Sequence, residues 1–425
     1  MTILLLLIFI AGYTCIAFEH SIKINKAATA LLTGILCWTV YIISIAPVEN
    51  KDQILEELTT HTGDIAGILF FLLGAMTIVE LIDAHDGFEI ITRRISTNSI
   101  VRLLWIISFI AFFASAILDN LTCTIIMISI LRKLIPHKNL RIKFAAIVII
   151  AANAGGAWSP IGDVPTTMLW IGGQISAVAV IVKVFLPSLI SLLIPLTIFS
   201  FSVKKDFDVI IKESQPVTAE ENIKRSIILY SGIFLFLLVP VFKTFTHLPP
   251  YMGMMLALGI LWVISELIHA DKDEADKSIL SVVTALKKID SPSILFFLGI
   301  LLSVAALQQA GILSNFAVWM DEHIGNTHAI VINIGLLSAV LDNVPLVAAV
   351  QGMYPLQQFG ADDNFWHFLA YCAGTGGSIL IIGSAAGVAA MGMENISFTW
   401  YLKKISLWVI AGYAAGAIVF ILLNR

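Results

Sequence analysis

Two Asp-Asn pairs in the middle of long apolar runs are the residues best suited to chemistry in this chain. Asp119-Asn120 follows the letters Ser-Ala-Ile-Leu, and Asp342-Asn343 follows Ser-Ala-Val-Leu. A carboxylate at membrane depth is costly, so it faces protein or water and marks a functional site by default. Its recurrence about half a chain later indicates a duplicated transporter whose site lies where the two halves meet.

A second polar stretch, 153–167, interrupts a later apolar run. Its glycines and prolines at mid-span break a helix and free backbone groups, and transporter sites are typically made from such discontinuous helices. The predicted helix-breaking residues are Gly155, Gly156, Pro160, Gly162 and Pro165, and the polar side chains beside them are Asn153, Ser159, Asp163, Thr166 and Thr167.

The second half contains a counterpart of this stretch that is chemically unequal. Gly376, Gly377 and Gly383 keep the spacing of the first-half glycines, but the prolines are missing. Ser378 lies within this counterpart, and Ser384 occupies the place of Asp163. We therefore expect the chemistry that takes up a proton to depend mainly on the first half.

Carboxylate, amide, hydroxyl and carbonyl oxygens together suit a small hard cation such as Na⁺. If Asp119 and Asp163 share one poorly solvated pocket, they do not both ionise readily, and one holds a proton near neutral pH. An arriving Na⁺ would displace that proton, which is exchange by competition for one charge. The structural alternatives are a buried Asp-Asn hydrogen bond that only fixes each turn, and a kinked helix at 153–167.

The composition indicates an all-α polytopic membrane protein. Of the 425 residues, 58% are hydrophobic and 13% are charged, and the mean hydropathy is +0.94; an ordinary soluble domain has about 25% charged residues. The net charge of −4 favours no charged partner, and no basic block suggests nucleic acid. The four cysteines lie far apart, and no His or Cys cluster is present, so neither a transition metal nor a cofactor is expected.

The apolar runs predict two repeats joined by a cytoplasmic linker at 204–225. The first repeat, 1–203, has spans near 2–18, 27–47, 65–82 and 177–203, a re-entrant hairpin at 100–135 and a broken span at 141–175. The second, 226–425, has spans near 226–245, 250–268, 292–310 and 402–422, a hairpin at 327–353 and a broken span at 366–393. Two ordinary spans in place of each hairpin are the alternative.

The distribution of Lys and Arg predicts the orientation of the chain. Cytoplasmic loops of membrane proteins carry an excess of basic residues. With ten spans and both termini outside, 21 of the 25 Lys and Arg fall in the cytoplasm; Lys51, Lys243 and Arg425 fall outside, and Lys183 lies within a run. The two repeats then have opposite orientations in the membrane.

At these residues the chain resembles the NhaD-type sodium/proton antiporters, within the ion transporter superfamily that also contains dicarboxylate/sodium symporters and arsenite exporters. The resemblance rests on Leu-Asp-Asn at both tips and on the Ser-Pro-Ile-Gly-Asp-Val-Pro-Thr-Thr run that ends at Thr167. It implies a homodimer in a bacterial inner membrane, two inverted repeats and an elevator-like movement. The implied cation ligands are Asp119, Asn120, Thr122, Asn153, Asp163, Thr166, Thr167, Ser338, Asp342, Asn343, Ser378 and Ser384. Pro345, at the place of Thr122, cannot supply a side-chain ligand.

Three other functions fit the sequence less well than sodium/proton antiport. A sodium-coupled carboxylate symporter has neutral tips resembling Ser-Asn-Thr, whereas the aspartates here would repel a dicarboxylate. An arsenite exporter fits the tips less well. A polytopic membrane enzyme is the least favoured, because the sequence offers no catalytic triad, metal motif or lipid-phosphate Arg/His set.

Overall fold

The fold is known from a computed structural model that describes residues 2–17, 19–45, 51–92, 97, 99–202, 218–269 and 280–424. Within these ranges the regular structure is helical and no strand occurs. The first ten helices are α1 Thr2–Ala17, α2 Glu19–Ile22, α3 Lys26–Ile45, α4 Lys51–Ala84, α5 Glu89–Thr92, α6 Ile100–Ser115, α7 Asn120–Leu134, α8 Lys138–Ala157, α9 Val164–Ile171 and α10 Ala177–Ser202.

The remaining helices follow the predicted linker, most of which lies outside the described residues. They are α11 Ala219–Thr246, α12 Pro250–Ile268, α13 Val282–Lys288, α14 Ser291–Gln309, α15 Ile312–His323, α16 Thr327–Leu337, α17 Asn343–Met353, α18 Asn364–Gly376, α19 Ala385–Glu394, α20 Phe398–Tyr401 and α21 Leu407–Leu423. A π-helical turn, Leu402–Ser406, joins the last two. The division into repeats at 1–203 and 226–425 stays a prediction.

The chain is a multi-pass membrane protein. Eight helices of the described residues are long and apolar enough to cross a bilayer. Of the ten expected spans, the two outside this set are the short helix α1 and the interrupted pair α18 and α19. Large apolar side chains such as Phe201, Phe245 and Leu267 are exposed on the outer helices, where lipid would cover them.

Four chain breaks position the polar residues. α6 and α7 meet at Asp119, and α16 and α17 meet at Asp342; these pairs are named the first and second hairpins. α8 and α9 are separated by 158–163, and α18 and α19 by 377–384; these pairs are named the first and second broken helices. In lipid, such unwound backbone is tolerated only where protein or a wet cavity surrounds it.

Each hairpin packs against the broken helix that follows it, through equivalent contacts. Ser115 Oγ donates a hydrogen bond to Ala152 O at 2.7 Å, and the equivalent Ser338 Oγ donates to Ala373 O at 3.0 Å. A side chain at Gly155 would overlap the backbone of α6. Glycine at this position therefore allows two helix backbones to touch, and Gly376 does the same against α16. The predicted similarity of the halves thus extends to their packing.

The centre of the protein is α8, whose C-terminal three quarters is buried on all sides. Its small and β-branched residues suit close packing against α6, α7, α10, α18 and α19. The first and second broken helices are therefore in direct contact, so side chains from both halves reach the same region.

Candidate cation-binding site

The tip of the first hairpin is held by its own aspartate. Asp119 precedes α7 and accepts a hydrogen bond from Thr122 N at 2.9 Å through Oδ1. The hydroxyl of Thr122 donates to Oδ2 of the same carboxylate at 2.5 Å. The side chain of Asp119 thus caps the amide end of α7. A carboxylate is favoured there because it satisfies free N–H groups and opposes the positive end of the helix dipole.

The second tip has the same cap but fewer donors. Oδ1 of Asp342 accepts from Val344 N at 3.2 Å. Pro345 stands where Thr122 stands in the first tip, so no hydroxyl from that position engages the other oxygen. Oδ2 of Asp342 instead lies 4.0 Å from Nζ of Lys26, which belongs to α3. The two tips are alike in sequence and differ in the charge that surrounds them.

Asp163 has one buried carboxylate oxygen that is not satisfied among the described residues. It precedes α9, and its Oδ1 accepts a hydrogen bond from Thr166 N at 2.9 Å. Only 1% of the residue is exposed, and Oδ2 is buried without a hydrogen-bond partner in the part of the chain that the structure describes. A buried carboxylate oxygen without a donor is strongly unfavourable. A proton or a cation at Oδ2 would remove that penalty.

A chain of hydrogen bonds connects the first tip to both broken helices. Asn120 Nδ2 donates to Asn153 Oδ1 at 2.9 Å, and Asn153 Nδ2 donates to Ser384 Oγ at 2.9 Å. Ser384 also caps α19 by accepting from Gly387 N at 3.2 Å. The structure therefore brings together three predicted residues, two from the first half and one from the second.

The equivalent chain in the other direction is incomplete. Asn343 and Asp163 are the counterparts of Asn120 and Ser384, but Gly374 stands where Asn153 would be. Asn343 Nδ2, like Asp163 Oδ2, is buried and finds no partner among the described residues. A Cβ atom at Gly374 would lie 3.0 Å from Oδ2 of Asp163, so the backbone of Gly374 lies directly beside that carboxylate. In the first arrangement, the Asn153 amide connects Asn120 to Ser384. In the second, Gly374 offers no side chain, and Asn343 Nδ2 and Asp163 Oδ2 stay unsatisfied among the described residues.

The remaining predicted hydroxyl groups mostly hold the backbone at the breaks. Ser159 Oγ donates to Ala116 O at 2.5 Å, and Ser378 Oγ donates to Thr375 O at 2.7 Å. Thr166 Oγ1 makes a longer bond of 3.4 Å to Ala157 O. Thr167 is buried, and its backbone N–H donates to Asp163 O. These contacts, with that of Ser338, satisfy carbonyl groups near the breaks.

A cavity of about 790 Å³ leads from one end of the helices to the edge of this region. Its inner wall includes Thr122 of α7 and Ala385, which follows Ser384. Charged side chains from the N-terminal segment, α4 and the α13–α14 region line the rest: Glu19, Lys23, Lys26, Glu80, Asp83, Lys288 and Asp290. The basic residues among them lie in segments that the Lys and Arg distribution predicts to be cytoplasmic.

Comparison with known proteins identifies the family. A model of the citrate transporter family matches residues 5–367. "Sodium/proton antiporter 2" of Arabidopsis thaliana is 45% identical over 99% of both chains, and its "Sodium/proton antiporter 1" is 48% identical over 99% of this chain and 72% of its own. "Na(+)/H(+) antiporter NhaD" of Vibrio cholerae is 31% identical over 99% of this chain and 91% of its own. The chain belongs to the citrate transporter family and to the NhaD-type sodium/proton antiporters.

In this transporter, sequence reasoning missed two residues of the site region and one residue at the other end of α19. The Lys and Arg distribution predicts only that Lys26 is cytoplasmic, whereas in the structure Lys26 contacts the second tip. Gly374 has no side chain to attract attention, although its spacing from Gly376 equals that of Asn153 from Gly155. Glu394 ends α19 fully buried between two arginines of the first half. Only Gly374 was visible in the sequence, by aligning the two repeats.

Proposed function

We propose that this transporter exchanges Na⁺, and also Li⁺, for H⁺ across the membrane, with cation and proton competing for Asp163. The observation that carries the proposal is the buried Oδ2 of Asp163, which lacks a partner within the described residues. Because a carboxylate accepts either a proton or a cation, occupation by one releases the other. The names of the Arabidopsis and Vibrio relatives support the same exchange.

The proposed Na⁺ site lies between Asp163 and Asn343, at the place that Gly374 leaves without a side chain. Hard cations are bound by carboxylate and amide oxygens together with backbone carbonyls. The amide of Asn343 has no hydrogen-bond partner for its Nδ2 in the described structure, so it is free to turn its oxygen toward a cation. Asp119, whose two oxygens accept from Thr122, positions the first tip in this scheme.

An elevator-like movement of the hairpins and broken helices accounts for alternating access. On the predicted cytoplasmic side, the cavity separates α7 and α19 from α3 and α4. On the other side, the end of α9 is closed against the outer helices: Trp170 packs edge-on against Phe71 at 6.3 Å between ring centroids, and Lys243 Nζ donates to Trp170 O at 2.8 Å. We assign this arrangement to the inward-open conformation.

The same proposal includes two inverted repeats, external termini and a homodimer. The equivalent hairpin contacts support the repeats, and the resemblance to NhaD-type antiporters supports the dimer. The relatives come from plants as well as bacteria, so location in a bacterial inner membrane stays a prediction. Transport, not catalysis, is the proposed activity.

Sodium-coupled carboxylate transport is the second candidate, because the matching family model is described as a citrate transporter. The geometry disfavours it. Asp119 and Asp342 both remain at the hairpin tips, and the buried Asp163 adds a third carboxylate. A citrate or dicarboxylate ion entering among them would be repelled, since like charges interact strongly where water is scarce.

The test uses everted membrane vesicles from antiporter-deficient cells, acidified inside and followed with a ΔpH dye. NaCl, LiCl, KCl, arsenite, citrate and succinate are added separately at several pH values. We expect Na⁺ and Li⁺ to collapse the gradient. Where the proton occupies the site, one-for-one competition should raise the half-saturating Na⁺ concentration about tenfold for each unit of pH decrease.

The matched variants are Asp163→Asn and, on the exposed surface of α12, Glu266→Gln. Asp163→Asn should abolish the response to Na⁺ and Li⁺, because an amide binds no proton at the pH values of the assay and carries no negative charge to attract a cation. Glu266→Gln should respond like the unmodified chain. A normal Na⁺ response in Asp163→Asn contradicts the proposed site. Uptake of labelled citrate or succinate with no cation response would favour the symporter.

A further inference from the structure

The second hairpin tip is paired with a lysine that comes from outside the hairpin. Lys26 lies in the first turn of α3, and its Nζ is 4.0 Å from Oδ2 of Asp342. The same ammonium lies 4.6 Å from the ring centroid of Phe296 on α14. Cation–π contact adds to the attraction that holds the ammonium there. The negative charge of the tip is thus met by a cation that belongs to the protein.

Several contacts fix Lys26 in this place. The carboxylate of Glu19 accepts a hydrogen bond from the backbone N–H of Lys26 at 3.1 Å, which ties the start of α3 to α2. α3 itself packs along α14, whose residue Phe296 is buried. The ammonium therefore belongs to α3, which lies outside the hairpins and the broken helices, whereas the carboxylate belongs to the second hairpin.

The first tip shows why this pairing is specific to the second. Both oxygens of Asp119 accept hydrogen bonds from Thr122. Pro345 removes the equivalent hydroxyl from the second tip, and Oδ2 of Asp342 faces Lys26 instead. The first tip thus has a neutral donor within its own hairpin, whereas the second tip has a full positive charge from α3.

We propose that Lys26 is a tethered cation that competes with Na⁺ at the second hairpin tip; this inference rests on the proposed antiport. Lys26 lines the cavity, and side-chain exposures of 26% for Lys26 and 17% for Asp342 leave both partners partly accessible. A Na⁺ ion that approaches Asp342 must therefore displace the ammonium. Because the two partners lie on different elements, the pair also has to open before the tip can move away from α3.

Its ion-pair partner distinguishes Lys26 from the other lysines of the cavity. Lys288 is paired with Glu80 at 3.3 Å, within the outer helices. Lys23 is exposed at the mouth. Among the cavity lysines of the described structure, Lys26 is the one in an ion pair with a hairpin tip. Lys23→Met therefore removes an equal charge from the same cavity without touching Asp342.

The experiment measures Na⁺-dependent thermal stabilisation of the purified full chain and Na⁺-driven ΔpH collapse in vesicles. Removing the competitor in Lys26→Met should lower the half-saturating Na⁺ concentration about two- to fivefold, the range expected for a partly exposed ion pair. Lys26→Arg, which keeps the charge, should restore the original value. In the Asp342→Asn background, Lys26→Met should no longer shift the stabilisation curve.

An equal effect of Lys26→Met and Lys23→Met would overturn the inference, as would the same Lys26→Met shift with and without Asp342. An increase in the half-saturating Na⁺ concentration would overturn it as well, since a competitor cannot assist binding. If the unmodified chain shows no Na⁺ response in either assay, the proposed antiport fails and this inference fails with it. A Na⁺ response that is insensitive to Lys26 refutes the inference alone.

Discussion

At the scale of single residues, the two first-half aspartates differ in what their surroundings have already satisfied. Both oxygens of Asp119 accept hydrogen bonds from Thr122, and these bonds stabilise the turn at the tip. Asp163 keeps one buried oxygen without a partner in the described structure. Only the second arrangement leaves a strong acceptor available for an exchangeable proton or cation. The roles of the two carboxylates therefore separate, although the sequence presents them as equals.

Asn153 supplies the first prediction at this scale. Asn153→Ala leaves Asn120 Nδ2 and Ser384 Oγ without their shared partner. We expect the free energy of unfolding to fall by about 1–3 kcal/mol, the cost of leaving buried polar groups unsatisfied. Thermal unfolding of the purified chain in detergent measures the change.

Asn333→Ala is the matched control, because Asn333 is exposed and its Nδ2 donates to Ala329 O in its own helix. Its effect should stay within about 0.5 kcal/mol. Equal stability of the two variants would show that the Asn120–Asn153–Ser384 chain does not hold the site together.

At the scale of elements, a buried ion cluster joins the two halves at the ends of α7 and α19. The carboxylate of Glu394 is fully buried and accepts from Arg132 Nε and Arg141 Nε, both at 2.7 Å. Arg132 also donates to Met393 O, and Arg141 donates to Ile135 O at 3.0 Å. The cluster fixes the last turn of the second broken helix to the connection between α7 and α8. In the proposed elevator movement, these elements would move as one body.

Glu394→Gln tests this connection. The neutral amide leaves two guanidinium groups without their counter-charge, so we expect the free energy of unfolding to fall by about 3 kcal/mol. This value is near the lower limit for breaking a buried ion pair, because Arg132 stays in contact with water. Thermal unfolding in detergent is again the measurement.

Glu220→Gln provides the comparison, since Glu220 pairs with Lys224 on an exposed helix surface and its side chain is 77% exposed. Such a pair contributes less than about 1 kcal/mol. If both variants lost the same stability, the Glu394 cluster would have no special structural role.

At the scale of the whole molecule, the proposed inward-open conformation places the cavity and the closed end of α9 on opposite sides of the site. The cavity reaches α7 and α19 from the side of Lys23 and Lys288. Beyond the site, Trp170 is held by Phe71 and Lys243. A site that is accessible from one side and sealed on the other is what alternating access requires.

Val388→Cys tests the direction of access, because Val388 lies on α19 and lines the cavity. A membrane-impermeant thiol reagent should react with it faster from the cytoplasmic face than from the external face. Leu356→Cys, in the loop after α17 that the charge distribution places outside, should show the opposite preference.

The unmodified chain gives the baseline for this labelling, since Cys37, Cys123 and Cys372 are buried and Cys15 is partly so. Preferential labelling of both variants from the same face would contradict the predicted orientation. Preference of Val388→Cys for the external face would contradict the inward-open assignment.

The sequence by itself determined the membrane class, the family and the positions of the chain breaks. Long apolar runs have few alternatives to spanning a bilayer, and glycine, proline and aspartate mark helix ends through local backbone chemistry. The Asp119 and Asp342 tips and the break before Asp163 follow from such local rules, which need no knowledge of neighbours.

Only the tertiary structure decided which partners these residues meet. Asn153 reaches Ser384 across the two halves, Lys26 approaches Asp342 from α3, and Glu394 is enclosed by Arg132 and Arg141. Each pair is more than 200 residues apart in the chain. Burial and counter-charge depend on how helices pack in three dimensions, so a local pattern cannot specify them. The difference between Asp119 and Asp163 is of this kind.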